Sequence, residues 1–308
     1  MITFFKNEKG LAPTVSWEPF CWVHVEEPTI SEKNYLFQEL KVPEPFYNDI
    51  EDVDERPRIE IDEGWYLILM RIPFKSDDVK VPYSTIPLGI IFKDDVYVSI
   101  CFYKTEMLPD FIAYTNKKSI HKQNSFDITL RLFLSSSVWY LKYLKQINQN
   151  IKIAEKKLEK SVRNEDLQTL FQIEKCLVYF TTSLRGNDIL VNRIKNIKEH
   201  KESYDPELTE DVDIELKQAL ETTNIYSDIL SGMMDAYASV ISNNINMIMK
   251  QLTSISIILM IPTLIASLYG MNVPNSFEEN PLGFWLILVI SFSISALAVF
   301  IFIRRRWF

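Results

Sequence analysis

The sequence predicts an α+β domain, then long helices, then a pair of membrane-spanning helices at the C-terminal end. Three observations carry this reading. In a chain of 308 residues, the stretch from Gln251 to Ile303 holds no Lys, Arg or Asp, and its only charges are Glu278 and Glu279. The charged region before it changes periodicity near residue 126, from short β-branched and aromatic runs to apolar steps of three and four residues. Leu252 to Tyr269 and Leu282 to Ile303 are uncharged runs of 18 and 22 residues, and a span needs roughly 20 apolar residues. The average composition, 47% hydrophobic and 24% charged, hides this division and alone would pass for a soluble protein.

Residues 1–125 form the α/β domain. Trp22 to Val25, Arg58 to Ile61, Trp65 to Ile72, Thr85 to Phe92 and Val96 to Phe102 are rich in β-branched and aromatic residues and read as strands. Lys93-Asp94-Asp95 is the expected turn between the last two. Thr29-Ile30-Ser31-Glu32 is a capping-box pattern ahead of Tyr35, Leu36, Phe37 and Leu40, and Pro43 and Pro45 are expected to stop that helix. The carboxylate pairs here, such as Glu51-Asp52 and Asp77-Asp78, have no nucleophile aligned with a base, so no enzyme chemistry is read from them.

Residues 126–250 form a helical hairpin and a stalk helix. Ile128, Leu132, Val138, Leu141, Leu144, Ile147 and Ile151 recur at helical steps. Lys142, Lys145, Lys152, Lys156, Lys157 and Lys160 give this helix a basic face, read as solvated surface, with a field acting near a pore mouth as the alternative. A second helix is expected from about Asp166 to Lys201. From Glu207 to Ile261 there is no Pro, and Gly232 is the only Gly. That predicts one helix about 80 Å long at about 1.5 Å per residue, with Pro262 expected to kink it inside the membrane.

Residues 251–308 form the membrane part: a first span over about 252–271, an outer loop 272–281, a second span over about 282–303, and a basic tail 304–308. Lys250 and Arg304 to Arg306 flank the spans, and the loop has no basic residue. The positive-inside rule then puts both termini in the cytoplasm. The N-terminal MITFFKNEKG lacks the apolar core of a signal peptide, so the charged body is expected to stay on the side where it is made. Trp285 and Trp307 sit near opposite ends of the second run as interfacial anchors.

The first span has a polar face. At about 100° per residue, Ser242, Asn246, Met249, Thr253, Ser256, Met260, Thr263, Ser267 and Met271 fall within a sector of about 100°, with Asp228 and Asp235 on the same sector further upstream. Small polar residues also serve helix–helix contacts. A stripe of this depth with Asn at one end favours a water-lined path. Two spans cannot enclose a pore, so copies of the chain must. A membrane-anchored scaffold or enzyme is the rival from another class, and an inert anchor needs no such face.

Composition excludes other classes. Cys21, Cys101 and Cys176 are far apart, and His24, His121 and His200 are scattered, so neither a disulfide framework nor a thiolate or imidazole metal site is expected. A net charge of −8 argues against a nucleic-acid partner. With 7 Gly and no GxGxxG or GxxxxGK[ST], no phosphate cradle and no organic cofactor is expected.

The first span ends in Tyr269-Gly270-Met271-Asn272, and the chain ends in Arg304-Arg305-Arg306-Trp307-Phe308. This resembles the CorA family of magnesium channels, whose signature is Gly-Met-Asn at the end of the first of two C-terminal spans. The resemblance extends through Ser231 to Tyr237 and Ser242 to Asn246. It is also visible in Glu51-Asp52 and in Arg56-Pro57-Arg58-Ile59-Glu60. It implies a funnel-shaped homopentamer in the inner membrane, carrying magnesium and also cobalt and nickel. Gly270, Met271 and Asn272 would form the selectivity filter. The pore wall would hold Asn246, Leu252, Thr253, Ser256, Met260, Thr263 and Ser267. The family's cytoplasmic divalent-sensing Asp matches Asp211, with Asp77 or Asp78 of a neighbouring copy facing it, which makes magnesium both cargo and regulator. The loop departs from the family's common Met-Pro-Glu-Leu with Ser-Phe-Glu-Glu-Asn-Pro, in which Glu278 and Glu279 would attract cations. ZntB-type relatives, associated with zinc, share the signature, so a proton-coupled zinc transporter is the alternative.

Overall fold

The computed structural model describes residues 1–7, 10–76, 81–118, 124–160, 164–197, 205–271 and 282–305. They divide into two compact units, Met1–Gly232 and Met233–Phe308.

The first unit is built on a seven-stranded sheet. Its strands are β1 (Ile2–Asn7), β2 (Leu11–Thr14), β3 (Trp22–Glu26), β4 (Arg58–Asp62), β5 (Trp65–Lys75), β6 (Tyr83–Lys93) and β7 (Val96–Cys101). Their order is β2-β1-β3-β7-β6-β5-β4. Every pairing is antiparallel except β3 with β7. The β4–β5 hairpin turns at Glu63 and Gly64, both at positive φ (47° and 79°), as a two-residue hairpin with right-handed strand twist requires.

The strands alternate their side chains between two covered faces. One face packs Val23, Leu67, Leu69, Ile91 and Val98 under α1 (Ile30–Gln38) and α2 (Glu44–Glu51). On the other lie α4 (Ser125–Lys160) and α5 (Asn164–Lys195), which contact β5 and β6, with α3 (Met107–Lys117) beside α4. The Thr29 capping box is formed: Glu32 N donates to Thr29 Oγ1, and Thr29 N donates to Glu32 Oε2 at 2.8 Å. Pro43 and Pro45 depart from expectation. They do not simply end α1; Pro43 caps α2 and Pro45 occupies its first turn, where a missing N–H costs nothing. β1, β2, α2 and α3 were not read from the sequence. The second hairpin helix ends at Lys195.

The third long helix, α6, runs from Pro206 to Tyr269 over 64 residues and continues through Pro262. In the first unit it buries Leu208, Val212, Leu216, Ala219, Thr223 and Leu230, a stripe at three-, four- and seven-residue steps. Asp213 on this helix pairs with Lys195 of α5. The second unit contains the rest of α6 and α7 (Gly283–Arg304). Both helices are long and apolar enough to cross a membrane, and little of either apolar stretch is buried. The residues they do bury are small: Ser254 on α6, and Gly283, Ser291 and Ser295 on α7.

Two features of the sheet give stability predictions. A Cβ added to Gly89 on β6 would lie 2.0 Å from Ile50 Cδ1, so this glycine lets α2 approach the sheet. Gly89→Ala should destabilise the chain by about 1–3 kcal/mol through overpacking, measured by chemical denaturation; a change below about 0.5 kcal/mol, the size of an ordinary surface substitution, would contradict this. His24 is buried beside Ser99, whose Oγ accepts from Trp22 Nε1 (2.8 Å) and is 2.9 Å from His24 Nδ1. The hydroxyl can donate its own proton to Nδ1, which suits a neutral ring. Burial, with the Met1 ammonium second, lowers the His24 pKa from 6.5 to about 4. The unfolded chain therefore binds more protons between those values, and stability should be lost as pH falls from about 6.5 to about 4, by roughly 3 kcal/mol. His24→Asn should flatten that part of the denaturation-versus-pH curve.

Candidate ion path and carboxylate site

The polar stripe of the first span lies on one continuous helix. Ser256, Met260, Thr263 and Ser267 line a single open groove along α6, together with Ile257, Leu259, Ile261 and Leu264. Asn246, Leu252 and Thr253 lie on the same helix, exposed and outside this groove. Exposure does not single out the stripe, because Leu268, outside the groove, is equally open, and neither does hydroxyl bonding to the helix, because Ser254, outside the groove, donates to the Lys250 carbonyl at 2.8 Å in the same way. What the grooved face has is three hydroxyl residues, Ser256, Thr263 and Ser267, in one line. The Ser256 hydroxyl donates to the Leu252 carbonyl at 2.9 Å, and Thr263 donates to Leu259 at 3.0 Å. Each hydroxyl thus satisfies its donor within the helix and keeps oxygen lone pairs facing outward.

The helix ends where the Gly-Met-Asn signature begins. Gly270 N donates to Ala266 O at 2.9 Å, and a Cβ there would sit 3.3 Å from that same carbonyl. Met271 is exposed. Asn272, Glu278 and Glu279 lie outside the described residues, as do Asp77, Asp78, His121 and His200.

Asp211 is exposed on the first turns of α6. It rims a cleft of about 440 Å³ made by α3, α4 and α6, in company with Asp110, Asp205 and Glu207. These neighbours were missed from the sequence. Asp205 carried a readable signal, since Asp-Pro-Glu is a helix start; its Oδ1 accepts from Glu207 N at 3.1 Å and its carbonyl accepts from Thr209 N at 3.0 Å. Asp110 did not, because α3 itself was not recognised. Among the described residues no group of three or more His, Cys, Asp or Glu is arranged to hold a metal ion.

The segment from Glu51 to Glu60, where the family resemblance is also visible, serves packing and charge pairing. Arg58 holds Asp49 at 2.7 Å, Glu60 at 3.3 Å, and Glu55. Burial alone would lower its pKa, but the Glu55 and Asp49 carboxylates raise it overall. Arg71 on β5 reaches the carbonyls of Val53, Glu55 (3.2 Å) and Thr85 (2.7 Å), and its own carbonyl accepts from Tyr140 and Asn187. Burial lowers the Arg71 pKa. Pro57 fills the space left by Gly186 on α5. These contacts join the α2–β4 loop, the sheet and the α4–α5 hairpin.

An α+β body with three long helices, two of its helices able to span a membrane, defines a class of two-span membrane protein. The family described as CorA-like Mg2+ transporter protein matches residues 17–305, and the chain belongs to that family. It is 28% identical over 303 residues to the cobalt/magnesium transport protein CorA of Methanocaldococcus jannaschii, covering 95% of this chain and 93% of that protein. The complete structure of the CorA magnesium transporter from the same organism superposes with a TM-score of 0.84 at 25% identity, covering 100% of this chain and 99% of the other. The ZntB cytoplasmic domain from Vibrio parahaemolyticus superposes with a TM-score of 0.63 at 10% identity, over 79% of this chain and 98% of that domain, a likeness of fold alone. The predicted α+β domain, long helices and paired apolar helices are therefore the family's architecture.

The face away from the groove makes one local prediction. Ile258→Asp would place a carboxylate on the side of α6 away from Ser256, Thr263 and Ser267. At mid-span this costs about 2.5–3.5 kcal/mol on insertion scales, so the yield of membrane-inserted protein should fall. Ile258→Val should leave it unchanged. Equal insertion of the two variants would show that this face is outside the apolar core of the bilayer.

Proposed function

We propose that the chain is a homopentameric channel conducting magnesium across the cell membrane, with cobalt and nickel as further cargo and both termini in the cytoplasm. The observation that carries this is the line of hydroxyl residues, Ser256, Thr263 and Ser267, in the groove along α6 of a chain that belongs to the family over residues 17–305. The relative from Methanocaldococcus jannaschii, named for cobalt and magnesium transport, supports the cargo.

The mechanism follows from the chemistry of the ion. Magnesium dehydrates reluctantly, so a selective mouth works by hydrogen-bonding the hydration shell. Gly270 carbonyls and Asn272 side chains, repeated by each copy, offer neutral oxygens for this. A carboxylate ring would hold the ion tightly, and conduction needs weak sites. Glu278 and Glu279 attract cations from the loop. Inside, hydroxyls of Thr253, Ser256, Thr263 and Ser267 and the Asn246 amide carry the wetted wall. Leu252 and Met260 form apolar constrictions that close by dewetting. Asp211 of one copy and Asp77 or Asp78 of the next repel each other until a magnesium ion neutralises them. Bound magnesium then holds the ring closed, and its loss releases it.

Magnesium entry into proteoliposomes carrying a magnesium-sensitive dye tests the transport reading. Entry should need no proton gradient and should fall about tenfold or more in Asn272→Ala, the loss of roughly 1.4 kcal/mol at the mouth. Zinc entry driven by protons, with little magnesium entry, would establish the ZntB-type alternative instead. Gating has a separate readout. Asp211→Lys combined with Asp77→Lys and Asp78→Lys should leave the channel open at internal magnesium levels that close the wild type. Unchanged inhibition would remove the carboxylate sensor from the account.

A further inference from the structure

Two exposed helix faces of the first unit are complementary in charge. On α4, Lys145, Lys152 and Lys156 share one exposed face with Val138 and Ile153. On α6, Glu221 and Asp228 share one exposed face with Ile214, Ile225 and Ile229. Those three isoleucines are 54%, 55% and 49% exposed, a line of apolar side chains left in water. Among the described residues, none of these lysines and neither of these carboxylates is in an ion pair.

The two faces also have the same spacing. A shift of 76 residues sets Val138 against Ile214, Lys145 against Glu221, Lys152 against Asp228 and Ile153 against Ile229. Apolar meets apolar at both ends, and opposite charges meet between. The fold already holds α4 and α6 near this level and in one direction. Val138 and Asp211 line the same cleft, within one helical turn of that register. α4 and α5 are joined by three residues and pack together, so they are antiparallel. Lys195, the last residue of α5, pairs with Asp213, two turns into α6, so the chain reverses again. Rotation about an axis along these helices carries the same level and direction to a second copy. Followed along the sequence, the α6 face is turned by about 100° from the polar stripe of the first span, with Asp228 where the two meet. A helix with a shared path in front and another copy at its side needs two such faces.

We propose that the acidic face of α6 docks on the basic face of α4 of a second copy of this chain, with Glu221 at Lys145 and Asp228 at Lys152. Neither face suits its own kind, because like charges would meet. The contact is therefore heterologous, and contacts of that type close into a ring when the rotation allows. The proposal rests on the reading of the chain as an assembly of copies and specifies which faces meet.

Disulfide cross-linking of the full chain in detergent tests it. Two differently tagged chains are co-expressed, one with Gln149→Cys and the other with Ile225→Cys, which the same register sets level. Both positions are exposed, and the native Cys21, Cys101 and Cys176 are buried. Mild oxidation should join the two tags in one species, and neither variant alone should form a dimer. Lys145→Glu with Lys152→Glu in the first chain should lower the cross-linked yield about fivefold. Glu221→Lys with Asp228→Lys in the second chain should then restore it. Dimers of the Ile225→Cys chain alone would place α6 against α6 and overturn the proposal. So would a yield that charge reversal leaves unchanged. The mass of the solubilised wild type separates the two readings: a ring that does not cross-link overturns this choice of faces alone, and a monomer overturns the assembly as well.

Discussion

The constraint on which the second unit depends is that hydrocarbon offers no partner to a backbone amide. Each span must therefore be a closed helix, and any polar atom on it must be satisfied from within or face something other than lipid. α6 meets this in a particular way. Two hydroxyls of the stripe donate to carbonyls four residues back, Ser256 to Leu252 and Thr263 to Leu259. That uses up the donors without hiding the oxygens. One chain cannot enclose the resulting face, so the wetted path in our account requires copies of the chain around it. Ser254, Ser291 and Ser295 are buried; the Ser254 hydroxyl donates to the Lys250 carbonyl at 2.8 Å, whereas Ser295 Oγ departs from the rule and has no hydrogen-bond partner.

The first unit solves a different problem. Its sheet is covered on both faces, so loops and helices must fit into limited space, and glycine does this at two places. Gly89 admits Ile50 of α2, and Gly186 admits Pro57 of the α2–β4 loop. Arg71 then fastens that loop to the sheet through backbone carbonyls, while Asn187 and Tyr140 fasten the hairpin to the Arg71 carbonyl. Charge at Arg58 is shared among Asp49, Glu55 and Glu60. The family-like residues between Glu51 and Glu60 are explained by packing and charge pairing.

Much of this was legible in the sequence, and the failures have physical reasons. Strands β3, β5, β6 and β7 were readable because β-branched and aromatic residues fill them and are largely buried, whereas β4 has no buried residue and shows only Ile59 and Ile61 between charges. β2 was not readable, since Leu-Ala-Pro-Thr offers a proline and little periodicity, and its edge position tolerates both; β1, between β2 and β3, was also missed although Ile-Thr-Phe-Phe suits a strand. Pro43 and Pro45 were read as stops although the same residues start α2; a proline marks a helix boundary without saying which side. Pro109 hid α3 in the same way, in its first turn. For the site, the stripe on α6 was visible as periodicity, because a single long helix preserves phase. The cleft around Asp211 was not, because it is assembled from three helices far apart in the chain.

The central claim is that one face of the first span lines water. Its most direct test is substituted-cysteine accessibility in reconstituted membranes, since the native Cys21, Cys101 and Cys176 are buried. Cysteines placed at Ser256, Met260, Thr263 and Ser267 should react with a charged thiol reagent and block magnesium flux. Cysteines at Ile255, Ile258 and Ile265, on the opposite side of the same helix, should be inert. Reaction at all seven positions alike, or at none, would contradict a wetted face and leave α6 as a packing helix.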